Sequence, residues 1–135
     1  MGEEREVEGF RTVPAHRAVI DTLTRVEALA RARGLTVFAR IDFSGDASRA
    51  GLSLRPMGLV ILGNPQAGTP LLAAAPTVGI DLPLKVLVWE DTEGRTWVGY
   101  NDAGYLQRRH QFPAELMENI AALGALVKAA AAPGS

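Results

Sequence analysis

The chain contains no cysteine. Disulfides, thiolate metal sites, thiol nucleophiles and redox dithiols are thereby excluded. It also lacks a surplus of either charge: 14 Lys and Arg stand against 15 Asp and Glu, for a formal net charge of -1. Nucleic-acid binders carry a basic excess or a clustered basic stripe. The basic pairs here, Arg31 with Arg33 and Arg108 with Arg109, read as cations placed near helix C-termini, where they complement the dipole. No nucleic-acid partner is expected. Long apolar runs are missing too; no window approaches the roughly 18 to 20 residues that a membrane span requires. The stretch from Met1 to Glu8 is polar and acid-rich, without the apolar run of a secretory signal. The expectation is a cytoplasmic protein with no membrane partner.

What is present fits one domain. The 135 residues are 47% hydrophobic and 21% charged, enough for one core without metal or disulfide staples. Residues 1–9 carry no pattern and read as a disordered tail, 10–132 as a single domain and 133–135 as a second tail. Phe10 to Val13 suits a short strand before Pro14. Val19, Leu23, Val26 and Ala30 recur at helical spacing, with Ile20 and Leu29 widening the stripe, which predicts a helix over 15–33 closed by Gly34. Leu35 to Phe43 alternates as a strand, with Leu35, Val37, Ala39, Ile41 and Phe43 on one face. Residues 44–51 read as a loop or one helical turn. Gly58 to Leu62 is a compact central strand stopped by Gly63-Asn64-Pro65, and a short helix is predicted over 69–75. Leu84 to Glu90 and Arg95 to Asn101 are two strands joined by Asp91-Thr92-Glu93-Gly94, a hairpin whose glycine suits a positive φ. A short helix over 103–109 and a long one over 114–131, with Leu116, Ile120, Leu123 and Val127 inward, complete the chain. The fold class is α+β: one antiparallel or mixed sheet of about five strands covered by helices.

Few residues carry a chemical signature. Gly63 to Pro70 leaves a strand and opens a helix, where backbone amides and a helix N-terminus can receive an anion. The spacing of Gly63 and Gly68 matches a phosphate-binding loop, but Thr69 stands where the lysine belongs and Pro70 where the hydroxyl residue belongs, so nucleotide hydrolysis is rejected. The plain alternative is a tight turn with Thr69 as N-cap and Pro70 at the first helical position. His16 and His110 show no metal-ligand spacing, and no metal is expected. His110 has Asp102 and Tyr105 nearby in sequence and is the better candidate base. Asp81 and Lys85 flank Leu82-Pro83-Leu84; Lys85 is either a solvated or paired cation, or a buried base with a depressed pKa. Asn101 and Asp102 end a strand beside Tyr100 and Tyr105, where polar residues serve binding or turn formation equally. Ser44, Ser48 and Ser53 lack a Gly-x-Ser-x-Gly setting. Asp42, Asp46 and Glu90 are dispersed and leave a glycosidase pair open.

The runs Leu-Thr-Val-Phe-Ala-Arg-Ile-Asp (35–42), Leu-Arg-Pro (54–56), Gly-Asn-Pro-x-Ala-Gly-Thr-Pro-Leu (63–71), Asp-Leu-Pro-Leu-Lys-Val-Leu-Val-Trp-Glu-Asp (81–91) and Tyr-Asn-Asp (100–102) resemble the bacterial family named domain of unknown function 302. The resemblance covers about residues 10–112. It implies a curved antiparallel sheet of the TATA-binding-protein type with two principal helices on one face, frequent homodimers, and no established activity. Members of the family often carry Lys where this chain has Gln66 and His where it has Phe43. Both departures remove chemistry from the site.

Three readings follow. The first is a homodimeric domain that binds or senses an acidic or polar small molecule without turnover, with no catalytic residue and no cofactor. Its ligand residues would be Asn64, Gly68, Thr69, Asp81, Lys85, Asn101, Asp102 and Tyr105, with the amides of Gly68 and Thr69 orienting the ligand. The second is a small enzyme using Lys85 or His110 as base, oriented by Asp102. The third is a structural or interaction module.

Overall fold

Period-two alternation in the apolar runs builds a single sheet in a computed structural model that describes residues 6–134. The strands are β1 (Phe10–Ala15), β2 (Thr36–Asp42), β3 (Met57–Gly63), β4 (Leu84–Glu90) and β5 (Thr96–Asn101). They lie in the order β1-β5-β4-β3-β2, and every paired neighbour is antiparallel. The helices are α1 (Val19–Ala32), α2 (Phe43–Arg49), α3 (Pro65–Ala74), α4 (Ala103–His110), α5 (Glu118–Ala121) and α6 (Leu123–Ala131), with 3-10 turns at Pro76–Ile80 and Ala114–Leu116. The expected tail over 1–9 lies partly outside the described residues. Within them, the Gly9 carbonyl accepts the Asp102 amide at 2.7 Å.

One face of the sheet is the core. Val60 and Leu62 from β3, Val86 and Val88 from β4, and Val98 and Tyr100 from β5 pack against Val19, Leu23, Val26 and Ala30 of α1 and Leu126, Val127 and Ala130 of α6. Helices α1 and α6 are the two principal helices on one face. Ile20, expected to widen the stripe, is instead 67% exposed, because it falls one residue round from the buried row. A second cluster of Leu71, Ala75, Val78, Leu106, Phe112 and Ile120 fills the space beneath α3, α4 and α5. The alternate positions, Met57, Leu59, Ile61, Leu87, Trp89 and Trp97, face away from α1 and α6 and belong to neither cluster.

Four boundaries differ from expectation, each for a physical reason. The first strand runs on through Pro14 and Ala15, so α1 begins at Val19; β1 is an edge strand, where a missing ladder donor is tolerated. The stretch after β2, expected to be loop or a single turn, is the seven-residue α2, opened by the Asp42 carboxylate accepting the Gly45 amide. In β2 the register slips between Val37, opposite Leu62, and Ala39, opposite Ile61. This bulge turns Ala39 and Ile41 to the open face while Leu35 and Val37 stay against the core, and Phe43 falls in α2, so the five residues expected on one face do not share it. Arg40 accordingly reaches Thr24 Oγ1 on α1 at 3.1 Å. The long final helix is broken at Met117 and Ala122. Ile120 serves the second cluster and Leu123 the first, and the break lets the segment face both.

Candidate functional site

The turn after β3 holds two cap-and-proline pairs, Asn64-Pro65 and Thr69-Pro70, and the earlier one opens the helix. The Asn64 side chain accepts the Gln66 amide at 2.9 Å, with Pro65 in the first turn. Thr69 is therefore inside α3 and not its N-cap, and Pro70 lies within the helix. This overturns the expected anion clamp. Pro65 has no N–H, the Gln66 amide is taken by the Asn64 side chain, and the Ala67 and Gly68 amides both donate to the Asn64 carbonyl, at 2.9 and 2.8 Å. No free donor of the first turn remains to bind an anion through Gly68.

Asn64, Gly68 and Thr69 nevertheless border a cleft of about 350 Å³, closed on its other sides mainly by Leu35, Phe38, Leu72 and Leu82. The walls are largely apolar. Asn119, from α5, lines the same cleft and donates its side-chain N–H to the Ala67 carbonyl at 2.9 Å, fixing α5 against α3. Sequence reasoning missed Asn119, Phe38 and Leu72. Asn119 stands among C-terminal residues that carry no motif, and Phe38 lines the cleft from the bulged stretch of β2. Gly68 is the unusual member. It lies inside α3, needs no positive φ, and a Cβ built on it would meet nothing within 4 Å. The fold has no steric use for a glycine at this position.

The remaining expected residues lie elsewhere. Asp81 faces α4: its carboxylate accepts Arg109 at 2.9 Å and sits 2.5 Å from His110 Nε2. His110 Nδ1 lies 2.8 Å from the Thr77 hydroxyl. Since a carboxylate only accepts, Nε2 carries the proton toward Asp81, while Nδ1 shares a hydrogen bond with the Thr77 hydroxyl. The partner that orients His110 is thus Asp81 and not Asp102. Lys85 donates to the Pro83 carbonyl at 3.1 Å. Asp102 is the N-cap of α4, accepting the Tyr105 amide at 3.0 Å and Arg11 Nε at 2.7 Å. The Arg11 hydrogen bond, ahead of the Tyr105 amide, holds its carboxyl below the usual range. The Tyr105 ring lies over Gly9, where a Cβ would meet it at 2.2 Å. Asn101 ends β5, two strands from β3. Asp81, Lys85, Asn101, Asp102 and Tyr105 therefore do not line the cleft. Among the described residues there is no cluster of His, Asp and Glu able to hold a metal.

A two-layer α+β domain with these motifs defines the class, and comparison gives the family. The model for "Domain of unknown function DUF302" matches residues 11–130, and the chain belongs to that family. The crystal structure of an uncharacterized conserved DUF302 protein from Bacillus stearothermophilus superposes with a TM-score of 0.75 at 23% identity, over 93% of this chain and 97% of the other, which shows the shared fold. Two curated relatives carry another name. Fluoride-specific ion channel FluC 1 of Brucella suis biovar 1 (strain 1330) is 44% identical over 102 residues, 76% of this chain and 40% of that protein. Fluoride-specific ion channel FluC 2 of Brucella melitensis biotype 1 is 44% identical over 102 residues, 38% of its length. This chain thus spans about two-fifths of the curated relatives it matches. Among the described residues, no helix is long and apolar enough to cross a membrane.

Proposed function

We propose that this chain is a cytosolic, homodimeric domain that binds a small molecule without turnover, and that the ligand occupies the cleft beside α3. The observation that carries the reading is Gly68. A helix-interior glycine costs roughly 1 kcal/mol relative to alanine, and here neither backbone nor packing calls for it. Gly68 lines the cleft, and a Cβ there would meet nothing within 4 Å. The walls fit a small, mainly apolar molecule with one or two hydrogen-bonding groups, which Asn64, Thr69 and Asn119 would meet. The volume is at the lower end of ordinary ligand sites. The homodimer is supported by the second face of the sheet, where the apolar Leu59, Ile61 and Leu87 are only half-buried and belong to neither core cluster.

The Brucella relatives add a functional hint. There the matching stretch shares a chain with the rest of a protein named as a fluoride-specific ion channel, an arrangement that suits a sensing or regulatory module better than an enzyme. Fluoride itself is a poor candidate for this cleft. It is a strongly hydrated anion that needs several N–H donors, and the amides at the start of α3 are already used.

A thermal-shift screen tests the reading, because a ligand of the folded state raises the melting temperature by mass action. Aliphatic alcohols, esters and amides of about six carbons should raise it in the native chain and fail in Gly68→Leu, which fills the cleft; sodium fluoride should have no effect. If nothing in such a set acts, or if Gly68→Leu responds like the native chain, the reading fails. Light scattering at tens of micromolar protein should give a dimer; a strict monomer refutes that part.

A second reading has one observation behind it, the line Thr77–His110–Asp81. It is the geometry of a hydroxyl nucleophile with an oriented general base. Hydrolysis of an activated ester that disappears in both Thr77→Val and His110→Gln would support it. Identical rates in both variants would leave the cluster as a tie between the Pro76–Ile80 turn and α4.

A further inference from the structure

Antiparallel pairing lines up one row of side chains across the open face of the sheet, at its hairpin end. Met57 on β3 stands opposite Trp89 on β4, Trp89 opposite Trp97 on β5, and Trp97 opposite Pro14 on β1. The Phe10 ring occupies the space above Gly99, where a Cβ would meet its Cζ at 2.1 Å, and stacks on Trp89 with ring centroids 6.1 Å apart and 26° between planes. Gly99 has no positive φ, so its missing side chain serves to admit this ring. Residues 54–57 and the hairpin 91–95 border a cavity of about 560 Å³ over this aromatic floor. That is well within the range of small-molecule sites. The cavity shares no lining residue with the cleft beside α3, and Leu59, Ile61 and Leu87 do not line it.

The charges beside this cavity are spent on one another. Glu90 pairs with Thr96, and strand alternation turns both side chains to the helix-covered face, away from Trp89 and Trp97. Asp91 accepts Trp97 Nε1 at 2.9 Å and the Glu93 and Arg95 amides at 2.8 and 2.9 Å. Arg95 is held by Glu93 at 2.8 Å and by Asp91 at 3.3 Å, with its guanidinium 5.9 Å from the Trp97 ring centre. Arg55, which is exposed, brings the carboxylates and guanidinium groups on this side to two each. The lining therefore selects neither an anion nor a cation. What it offers is apolar and flat: two half-buried indoles and the Phe10 ring below, with Leu54 and Met57 at the side. The bond from Trp97 to Asp91, and the place that Gly99 leaves for Phe10, hold two of these rings before any ligand arrives. Fixed ring faces favour a flat aromatic molecule over a saturated one of equal size, because stacking adds to the burial of apolar area.

We propose that this hairpin-end cavity is a second binding site, which takes an uncharged, planar aromatic molecule against Trp89, Trp97 and Phe10 and selects it by stacking and not by charge. The chain holds two tryptophans, both in this lining and neither in the cleft beside α3. The two indole N–H cross-peaks of the full-length, nitrogen-15-labelled chain therefore report on this cavity alone. They are followed during titration with 2-naphthol, and in parallel with its saturated counterpart decahydro-2-naphthol, the anion 2-naphthalenesulfonate and the cation 2-naphthylmethylammonium. 2-Naphthol should give saturable shifts of both cross-peaks, about tenfold tighter than decahydro-2-naphthol, as expected when stacking is added to area burial. Neither charged probe should bind more than about threefold tighter than 2-naphthol, and the order should hold at high salt. Trp89→Leu should weaken 2-naphthol about tenfold, read at the Trp97 cross-peak. Gly68→Leu should leave the titration unchanged, which separates this cavity from the α3 cleft. The proposal is overturned by shifts that do not saturate, by a saturated probe that binds as tightly as 2-naphthol, or by a charged probe about tenfold tighter than it. The probe comparison is made in the native chain, so it decides the matter even where Trp89→Leu fails to fold.

Discussion

Replacing Gly68 by alanine should stabilise this protein. Glycine gives up more backbone freedom on folding than any other residue, and its exchange for alanine in a helix interior gains about 0.5–1 kcal/mol where the native conformation allows it. At Gly68 it does allow it: the residue is helical, its φ is not positive, and the added methyl would meet no heavy atom within 4 Å. Unfolding entropy near 2.1 cal/mol/K per residue makes 1 kcal/mol worth about 3–4 °C in a domain of this length. Gly68→Ala should therefore raise the melting temperature by about 2–4 °C in calorimetry or circular dichroism, with an unchanged denaturant slope. A lower melting temperature would refute the argument. It would mean that the glycine answers a structural need and is not the opening of a cleft.

Three further predictions follow from the packing and the charges. Leu62 is fully buried in β3 among the α1 residues of the main core, so Leu62→Ala should cost about 3 kcal/mol, read as a fall in the denaturant midpoint. Gly99→Ala would place a methyl 2.1 Å from Phe10 Cζ; it should dislodge the ring from Trp89, shift tryptophan emission and destabilise the fold by about 1–3 kcal/mol. The carboxyl of Asp91 is lowered from 3.8 to about 2, chiefly by the Trp97 indole N–H and then by the Arg95 amide, and those of Asp42 and Asp102 are lowered as well. These groups hold their protons less tightly folded than unfolded. Their contribution is complete above the unfolded value near 4 and is lost as pH falls through the folded value near 2. The melting temperature should drop between about pH 4 and pH 2, and Asp91→Asn should flatten that drop.

The sequence made the sheet legible because its strands carry strong period-two patterns, as in Leu84 to Glu90, and its hairpin announces itself through Asp91 and Gly94, whose φ is +82°. The α1 stripe was equally plain. The bulge in β2 was not, since alternation in Leu35 to Phe43 runs unbroken through the slip and only pairing with β3 reveals it. The start of α3 was ambiguous because Asn64-Pro65 and Thr69-Pro70 offer the same capping chemistry five residues apart. Gly68 and Asn64 were visible as candidates from their turn. Their partner Asn119 was not, because it is brought there by packing from the far end of the chain. The Asp81–His110 contact joins residues 29 apart through the docking of α4 on the turn before β4, a tertiary event that leaves no local pattern.

The central claim is that the space left by Gly68 is a ligand site. Amide chemical-shift mapping of the folded chain titrated with hexan-1-ol tests it most directly. The account predicts saturable shifts confined to residues 64–72, Phe38 and the neighbourhood of Asn119, absent in Gly68→Leu. Shifts scattered over the open sheet face, or none that saturate, would contradict it.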